Sequence, residues 1–268
     1  MENSNLALAR HTETVICDKH GEFDRTYIIA CGKQVGQTPC SKCEEEKAQG
    51  NELIKNEGAK LEKERRSRVC TFNFDQSIPL RFKACEFDTY KTLDVNGRQL
   101  NGPSAALKQC VGYANNFERL SEAGAGLILC GQVGTGKTHL AISTGKQLAR
   151  EGRDCHYVNL ADLIRDVRSS WNDRDVSEDA IYRRYFRYDL LIIDEIGIQN
   201  GTENERNIIF EIINGRYERV KSTIIISNLS ENEIENMISI RSVDRIKDGG
   251  GGTLVFDWGS YRNRGTAA

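Results

Sequence analysis

Apolar residues in this chain gather into short runs separated by charged stretches of helical length. Leu190-Leu191-Ile192-Ile193 and Ile224-Ile225-Ile226 are continuous, not alternating, as expected of strands covered on both faces. The pattern predicts strands at Ala125–Cys130, Asp154–Val158, Asp189–Asp194, Thr223–Ser227 and Thr253–Phe256. Helical periodicity fills the gaps at Ser104–Leu120, Lys137–Arg150, Leu160–Trp171, Glu178–Arg187 and Glu205–Val220. Regular alternation of the two predicts an α/β fold over residues 79–268, a mostly parallel five-stranded sheet flanked by helices.

Before Pro79 the pattern changes twice. Residues 46–78 mix Glu, Lys, Arg, Asn and Gln with few apolar positions, as in Lys60-Leu61-Glu62-Lys63-Glu64-Arg65-Arg66. Such a run predicts a charged helical linker. Residues 1–45 hold four of the nine cysteines. Their spacing predicts a small zinc-binding module. Cys70, Cys85, Cys110, Cys130 and Cys155 stand singly and read as small core hydrophobes.

Composition narrows the setting. The formal net charge is −2, so any nucleic-acid surface has to be a local patch. No apolar run approaches the roughly 18 residues of a membrane helix, and the first residues lack a signal-peptide pattern. The expectation is a cytoplasmic protein with no membrane partner.

The sharpest chemical signal is Gly131-Gln132-Val133-Gly134-Thr135-Gly136-Lys137-Thr138, a complete P-loop between a predicted strand and a predicted helix. Its glycines let backbone N–H groups wrap phosphates at a helix N-terminus. Lys137 would reach the β- and γ-phosphates, and the Thr138 hydroxyl would hold Mg2+. The candidate ATP contacts are these eight residues and His139. Downstream, Leu190-Leu191-Ile192-Ile193-Asp194-Glu195 has the Walker B form. Asp194 would hold Mg2+ through water, and Glu195 would orient or deprotonate the attacking water. Asn228 ends another apolar strand. It either bonds a γ-phosphate oxygen or the attacking water, or caps a helix over Glu231–Ile238.

Taken together, 131–141, Asp-Leu-Leu-Ile-Ile-Asp-Glu-Ile-Gly (189–197) and Phe-Asp-Trp-Gly-Ser-Tyr-Arg-Asn-Arg (256–264) resemble the AAA+ ATPases, and within them the DnaC-type replicative helicase loaders. Cys85-Glu86-Phe87-Asp88-Thr89-Tyr90 resembles the family's segment near the adenine. The resemblance covers about residues 80 to 264 and implies a P-loop NTPase fold. It implies a sensor role for Asn228 and a trans-acting arginine finger in Ile240-Arg241-Ser242-Val243-Asp244-Arg245, at Arg245 with Arg241 close behind. Arg262 lies where a second-sensor arginine would stand. About twenty residues follow Arg245, too few for a full helical lid. That implies self-association, with composite ATP sites completed by a neighbouring subunit.

Cys17-Asp18-Lys19-His20 and Cys40-Ser41-Lys42-Cys43 are two short pairs able to complete one tetrahedral zinc site. The stretch between them is compatible with a β-hairpin, and Cys31 is spare, a possible replacement for His20. Four protein ligands point to a structural ion. The resemblance implies that this N-terminal region docks on a hexameric DnaB-like helicase.

Arg165, Arg168, Trp171 and Arg174, followed by Tyr182-Arg183-Arg184-Tyr185-Phe186-Arg187-Tyr188, combine cations with aromatic rings as single-strand binders do. The rings also fall at helical core spacing. The expectation is outward Arg165, Arg168, Arg183 and Arg184 as DNA contacts, with the rings mostly packed inward. The functional expectation is an ATPase that loads the replicative helicase onto single-stranded DNA during replication initiation. Two alternatives are an IstB-like transposition helper ATPase and a zinc-bearing adaptor that uses ATP only for assembly.

Overall fold

A computed structural model describes residues 8–94, 96–171, 177–197 and 202–261. The chain divides into two compact units, Met1–Lys63 and Glu64–Ala268. In the first, β1 (Leu8–Cys17), β2 (Gly21–Ala30) and β3 (Lys33–Gln37) form an antiparallel sheet in that order. Helix α1 (Ser41–Ser77) begins in this unit and ends in the second.

Within the second unit, the end of α1 is fixed by hydrogen bonds to the turn after α4 (Lys137–Arg150). Arg66 Nε donates to the Gly152 carbonyl at 2.7 Å and Ser67 Oγ to the Arg150 carbonyl at 2.6 Å. Phe74 is fully buried and takes the space that a side chain at Gly145 of α4 would need.

A lead-in of two short 3-10 turns (Leu80–Phe82 and Phe87–Thr89) then reaches α2 (Asn101–Asn115) and α3 (Phe117–Ser121). Where helical spacing predicts one helix to Leu120, Asn116 breaks the run. Its backbone leaves helical geometry at φ −104°, ψ 12°, and its side-chain amide donates to the Gly112 carbonyl. A short polar side chain can compete in this way with the main-chain ladder.

Strands β4 (Leu127–Gly131), β5 (Cys155–Asn159), β6 (Leu190–Ile196), β7 (Ser222–Ser227) and β8 (Gly252–Phe256) form a wholly parallel sheet in the order β5-β6-β7-β4-β8. Alternate residues feed two cores. Leu127, Leu129, Leu190, Ile192, Ile224 and Ile226 pack with α2 and α4 on one face. Ile128, Cys130, Leu191, Ile193 and Ile225 pack on the other with α5 (Leu160–Ser169), α6 (Glu178–Arg187), α7 (Glu203–Tyr217), α8 (Glu231–Ile238) and α9 (Ile240–Lys247). Burial on both faces explains the unbroken apolar runs. The five scattered cysteines are all buried. Burial pushes the Cys110 thiol up to about 12, so it packs as a neutral group.

One buried charge holds the far side of the sheet together. Arg216 of α7 has no solvent exposure. Its guanidinium donates to the carbonyls of Tyr185 (2.5 Å), Tyr188 (3.0 Å) and Ser222 (2.5 Å) and to Thr223 Oγ1 (3.0 Å), tying the end of α6 and the start of β7 to α7. Removing it leaves these acceptors buried without a donor. Arg216→Ala is expected to lower stability by about 3–5 kcal/mol, read as a shifted urea midpoint. A change under about 1 kcal/mol would show that water replaces the side chain.

Candidate functional site

The carboxyl ends of β4, β5, β6 and β7 meet along one edge of a cavity of about 900 Å³, and the lead-in segment, α2 and the residues after β8 supply its remaining walls. Ligands in open α/β sheets bind in this position.

The P-loop leaves β4 at Gly131, whose φ is 115° and where a Cβ would fall 2.4 Å from the Phe256 carbonyl. Gly136 has φ 96° and lies under the Tyr90 ring. Neither position accepts a side chain without moving the loop. Lys137 Nζ donates to the Gly131 and Gln132 carbonyls at 2.8 and 2.7 Å. The loop is braced from outside: Tyr90 OH and Trp258 Nε1 both donate to the Thr135 carbonyl, at 3.1 and 3.2 Å, and Tyr261 N donates to the Gly134 carbonyl at 2.8 Å.

Asp194 is buried at the centre. Thr138 Oγ1 and Tyr157 OH each donate to its Oδ2 at 2.9 Å, and the Glu195 N–H donates to Oδ1 at 2.7 Å. Burial pushes this carboxyl above the usual range against the pull of those donors. Burial and the adjacent carboxylate raise Tyr157 as well, so its hydroxyl stays a donor. The Thr138 and Asp194 oxygens, 2.9 Å apart, are close enough to serve one Mg2+, the hydroxyl directly and the carboxylate through a bound water. The hydroxyl–carboxylate pair therefore fits that ion.

Glu195 sits where the β6–β7 register shifts and has a left-handed φ of 63°. The irregularity turns its side chain toward the cavity, where Asn159 Nδ2 donates to Oε2. Asn159 Oδ1 also caps α5 by accepting from Ala161 N at 2.9 Å. Asn228 is exposed and lines the same cavity. The cap of α8 is Ser230, with Glu233 closing the box. Capping thus does not account for Asn228.

Arg245 of α9 lies apart from this cavity's lining. Its guanidinium carbon is 5.5 Å from the ring centroids of both Phe210 and Tyr217, and its buried Nη1 has no acceptor among the described residues. Arg241, one turn earlier, is exposed. Arg174 and Arg262 lie outside the described residues.

In the first unit, Cys17 and His20 come from the β1–β2 turn and Cys40 and Cys43 from the start of α1. Gly21 closes that turn at φ 78°. Their ligand atoms all lie within 4.8 Å of one another. His20 Nδ1 is 3.8, 3.7 and 3.3 Å from the sulfurs of Cys17, Cys40 and Cys43, and Cys17 Sγ is 3.6 Å from Cys43 Sγ. A tetrahedral zinc site with bonds of about 2.0–2.3 Å has edges of roughly 3.5–3.8 Å, so this donor set fits the ion.

Backbone N–H groups of Lys19 and then His20 lower the Cys17 thiol to about 6, while its hydrogen bond with Cys17 drives Cys43 up. Cys31 stands at the opposite end of the ten-residue β2, about 30 Å of strand away at roughly 3.3 Å per residue. It is not in the cluster. Glu46, with no motif to mark it, accepts from His20 Nε2 at 3.0 Å and from Lys19. That bond fixes the tautomer that offers Nδ1 to the cluster.

All four expected DNA-contact arginines have carboxylate partners. Arg165 bonds Asp162 at 2.6 Å, Arg168 bonds Glu205 at 3.2 Å, Arg184 bonds Asp166 at 2.5 Å and Arg183 bonds Asp179. Tyr182, Tyr185 and Tyr188 are buried and Phe186 is half-buried, as expected of the rings, but Trp171 is exposed and donates Nε1 to Glu178 at 3.1 Å. Among the described residues no helix is long and apolar enough to cross a membrane.

A parallel sheet with this strand order, a P-loop between β4 and α4, and acidic residues at the end of the neighbouring but one strand define a nucleotide-binding P-loop domain of the AAA+ class. The family model described as "IstB-like ATP binding protein" matches residues 116–242. The replicative helicase loader DnaC of Buchnera aphidicola subsp. Schizaphis graminum is 33% identical over 179 residues, covering 66% of this chain and 69% of the relative. DnaC of Escherichia coli K12 is 30% identical over 226 residues, covering 81% and 88%. The crystal structure of the DnaC helicase loader superposes with a TM-score of 0.57 at 24% identity, covering 67% of this chain and all of that one. The chain belongs to the DnaC-type family of IstB/DnaC-like ATP-binding proteins.

Glu46→Gln removes the charge that fixes His20 while leaving the four ligands in place. It is expected to weaken zinc affinity by about 10-fold or more, measured by competition with a chromophoric chelator. Unchanged affinity would mean that Glu46 serves only its ion pair with Lys19.

Proposed function

We propose that this protein is an ATP-hydrolysing loader of a hexameric DnaB-like helicase onto single-stranded DNA at replication initiation. The observation that carries the reading is that likeness to DnaC of E. coli runs over 226 residues, well beyond the 116–242 core shared with IstB-like proteins. An IstB-like transposition role draws only on that shared core. An adaptor using ATP purely for assembly would not need Glu195 turned into the cavity beside Asp194 and Asn228.

In this reading the P-loop residues Gly131 to Thr138, with His139, bind ATP, and Lys137 neutralises the β- and γ-phosphates. Thr138 and Asp194 hold Mg2+, which supplies charge neutralisation at the phosphates when bound. Glu195 takes a proton from the attacking water, and Asn228 orients that water or the γ-phosphate. The left-handed backbone at Glu195 aims the carboxylate, and the Asn159 amide holds it. Arg245 acts in trans on a neighbour's site. Its place on α9, outside the lining of this chain's own cavity, is what a trans role requires. Cys17, His20, Cys40 and Cys43 hold a structural Zn2+ in the N-terminal unit that contacts the helicase. Of the four arginines expected at the single strand, Arg165 and Arg183 contact it, while Arg168 and Arg184 hold the helices that present them through Glu205 and Asp166.

Co-purification of the full chain with a hexameric replicative helicase, and ATP-dependent placement of that helicase on single-stranded DNA, test the reading. Failure of both would overturn it. Glu195→Gln is expected to retain ATP binding and lose about 10²-fold or more in turnover. Equal turnover by this variant and wild type would remove Glu195 from the chemistry. Arg245→Ala is expected to keep ATP binding and lose about 10³-fold in assembly-stimulated hydrolysis. Normal stimulation with loss in Arg241→Ala instead would move the finger one turn along α9.

A further inference from the structure

One side of α4 carries three polar side chains, of which Lys146 and Arg150 have no part in the phosphate chemistry. His139, Lys146 and Arg150 are spaced 7 and 4 residues apart, which places them on one side of the helix. All three reach the lead-in segment. His139 Nε2 meets the Glu86 carbonyl at 2.8 Å and Thr89 Oγ1 at 3.3 Å. Lys146 Nζ donates to the Lys83 carbonyl at 2.6 Å and to Glu86 Oε1 at 3.2 Å. Arg150 donates Nη1 to Glu86 Oε2 at 3.0 Å and Nη2 to Glu86 Oε1 at 2.6 Å.

Glu86 is therefore the common acceptor of a bidentate arginine and a buried lysine. Lys146 is 7% exposed. Burial alone would raise the Glu86 carboxyl, and the Arg150 and Lys146 hydrogen bonds more than reverse it. A bidentate arginine is the exception among surface ion pairs, and a buried ammonium that loses its carboxylate is costly. The segment's turn is also closed internally, by Glu86 N donating to Thr89 Oγ1 at 3.0 Å.

This arrangement sets the wall of the cavity beyond the phosphates. Cys85, Thr89 and Tyr90 line it together with Phe82, Pro103 and Trp258. Tyr90 packs edge-on against His139 at 5.3 Å and bonds the Thr135 carbonyl at 3.1 Å. If the P-loop holds the phosphates of ATP, the nucleoside would lie against this largely apolar and aromatic surface. We propose that Glu86 is a positioning residue for ATP: by clamping the lead-in segment to α4 it pre-forms the nucleoside side of the pocket. The inference rests on the reading of the P-loop as an ATP site and adds a residue for which neither the P-loop nor Walker B accounts.

The test compares Mg2+-ATP with Mg2+-tripolyphosphate, which carries the phosphate chain without a nucleoside, by calorimetric titration of the full chain. Glu86→Gln and the surface variant Arg150→Met are expected to weaken ATP binding by about tenfold and to leave tripolyphosphate affinity within about twofold. Glu86→Asp together with intact Arg150 should recover part of the loss. Equal weakening of both ligands would mean a general disturbance of the P-loop and would overturn the assignment. Unchanged ATP affinity in both variants, with wild type binding ATP, would overturn the clamp alone. Wild type binding neither ligand would remove the nucleotide reading itself. Arg150→Met keeps the experiment decisive should Glu86→Gln fail to fold, because Arg150 is exposed.

Discussion

The arrangement of the second unit turns on one buried carboxylate. Asp194 accepts hydrogen bonds from Thr138 on α4, from Tyr157 on β5 and from the backbone of Glu195 on β6. A carboxylate in this position is costly unless donors surround it. Two of those donors come from other elements, so satisfying one charge ties the P-loop helix α4 and strand β5 to β6. The same bonds point a hydroxyl and a carboxylate oxygen at one place, as a divalent cation requires. Structural necessity and functional placement therefore have the same cause.

Sheet order extends the effect. With β7 between β6 and β4, the acidic end of β6 and the P-loop after β4 flank Asn228 at the end of β7. The parallel direction brings these ends to one edge, where ligands bind in open α/β sheets. The residues after β8 close the loop from the other side through Trp258 and Tyr261. The cavity thus has a polar floor fixed by backbone geometry and a wall made of side chains from distant segments.

That division explains what could be read from sequence. Continuous apolar strands, the P-loop and the Asp194-Glu195 pair were legible because each answers a local demand: burial on two faces, left-handed glycines, acidic residues at a strand end. The Cys17/His20 and Cys40/Cys43 pairs were legible because two-residue spacing lets both members reach one ion. Asn159, Tyr157, Glu46 and Arg216 were not, and Glu86 was legible only as a member of the 85–90 segment. Asn159 looks like a helix cap and is one, while its second hydrogen bond reaches across to Glu195. Arg216 resembles any charged residue near a helix end until Tyr185, Tyr188 and Ser222 gather around it. Asn116 shows the reverse limit, where a local hydrogen bond defeats an otherwise sound helical period.

The proposed DNA surface poses a different physical question, since every one of its four arginines already has a carboxylate partner. Arg165 with Asp162 and Arg183 with Asp179 are neighbours on a single helix turn, and both members of each pair are well exposed. Such pairs are worth about 0–1 kcal/mol, less than the gain from releasing counterions when a guanidinium meets a phosphate backbone. Arg184 and Arg168 differ. Arg184 shares Asp166 with the buried Tyr185, which links α5 to α6. Arg168 reaches the nearly buried Glu205, whose other oxygen accepts from Thr202 N at the start of α7. Turning either toward a phosphate would strip a carboxylate that holds helices together. Within that surface, Arg165 and Arg183 are the residues free to exchange partners, and Arg168 and Arg184 are better suited to holding the helices that present them.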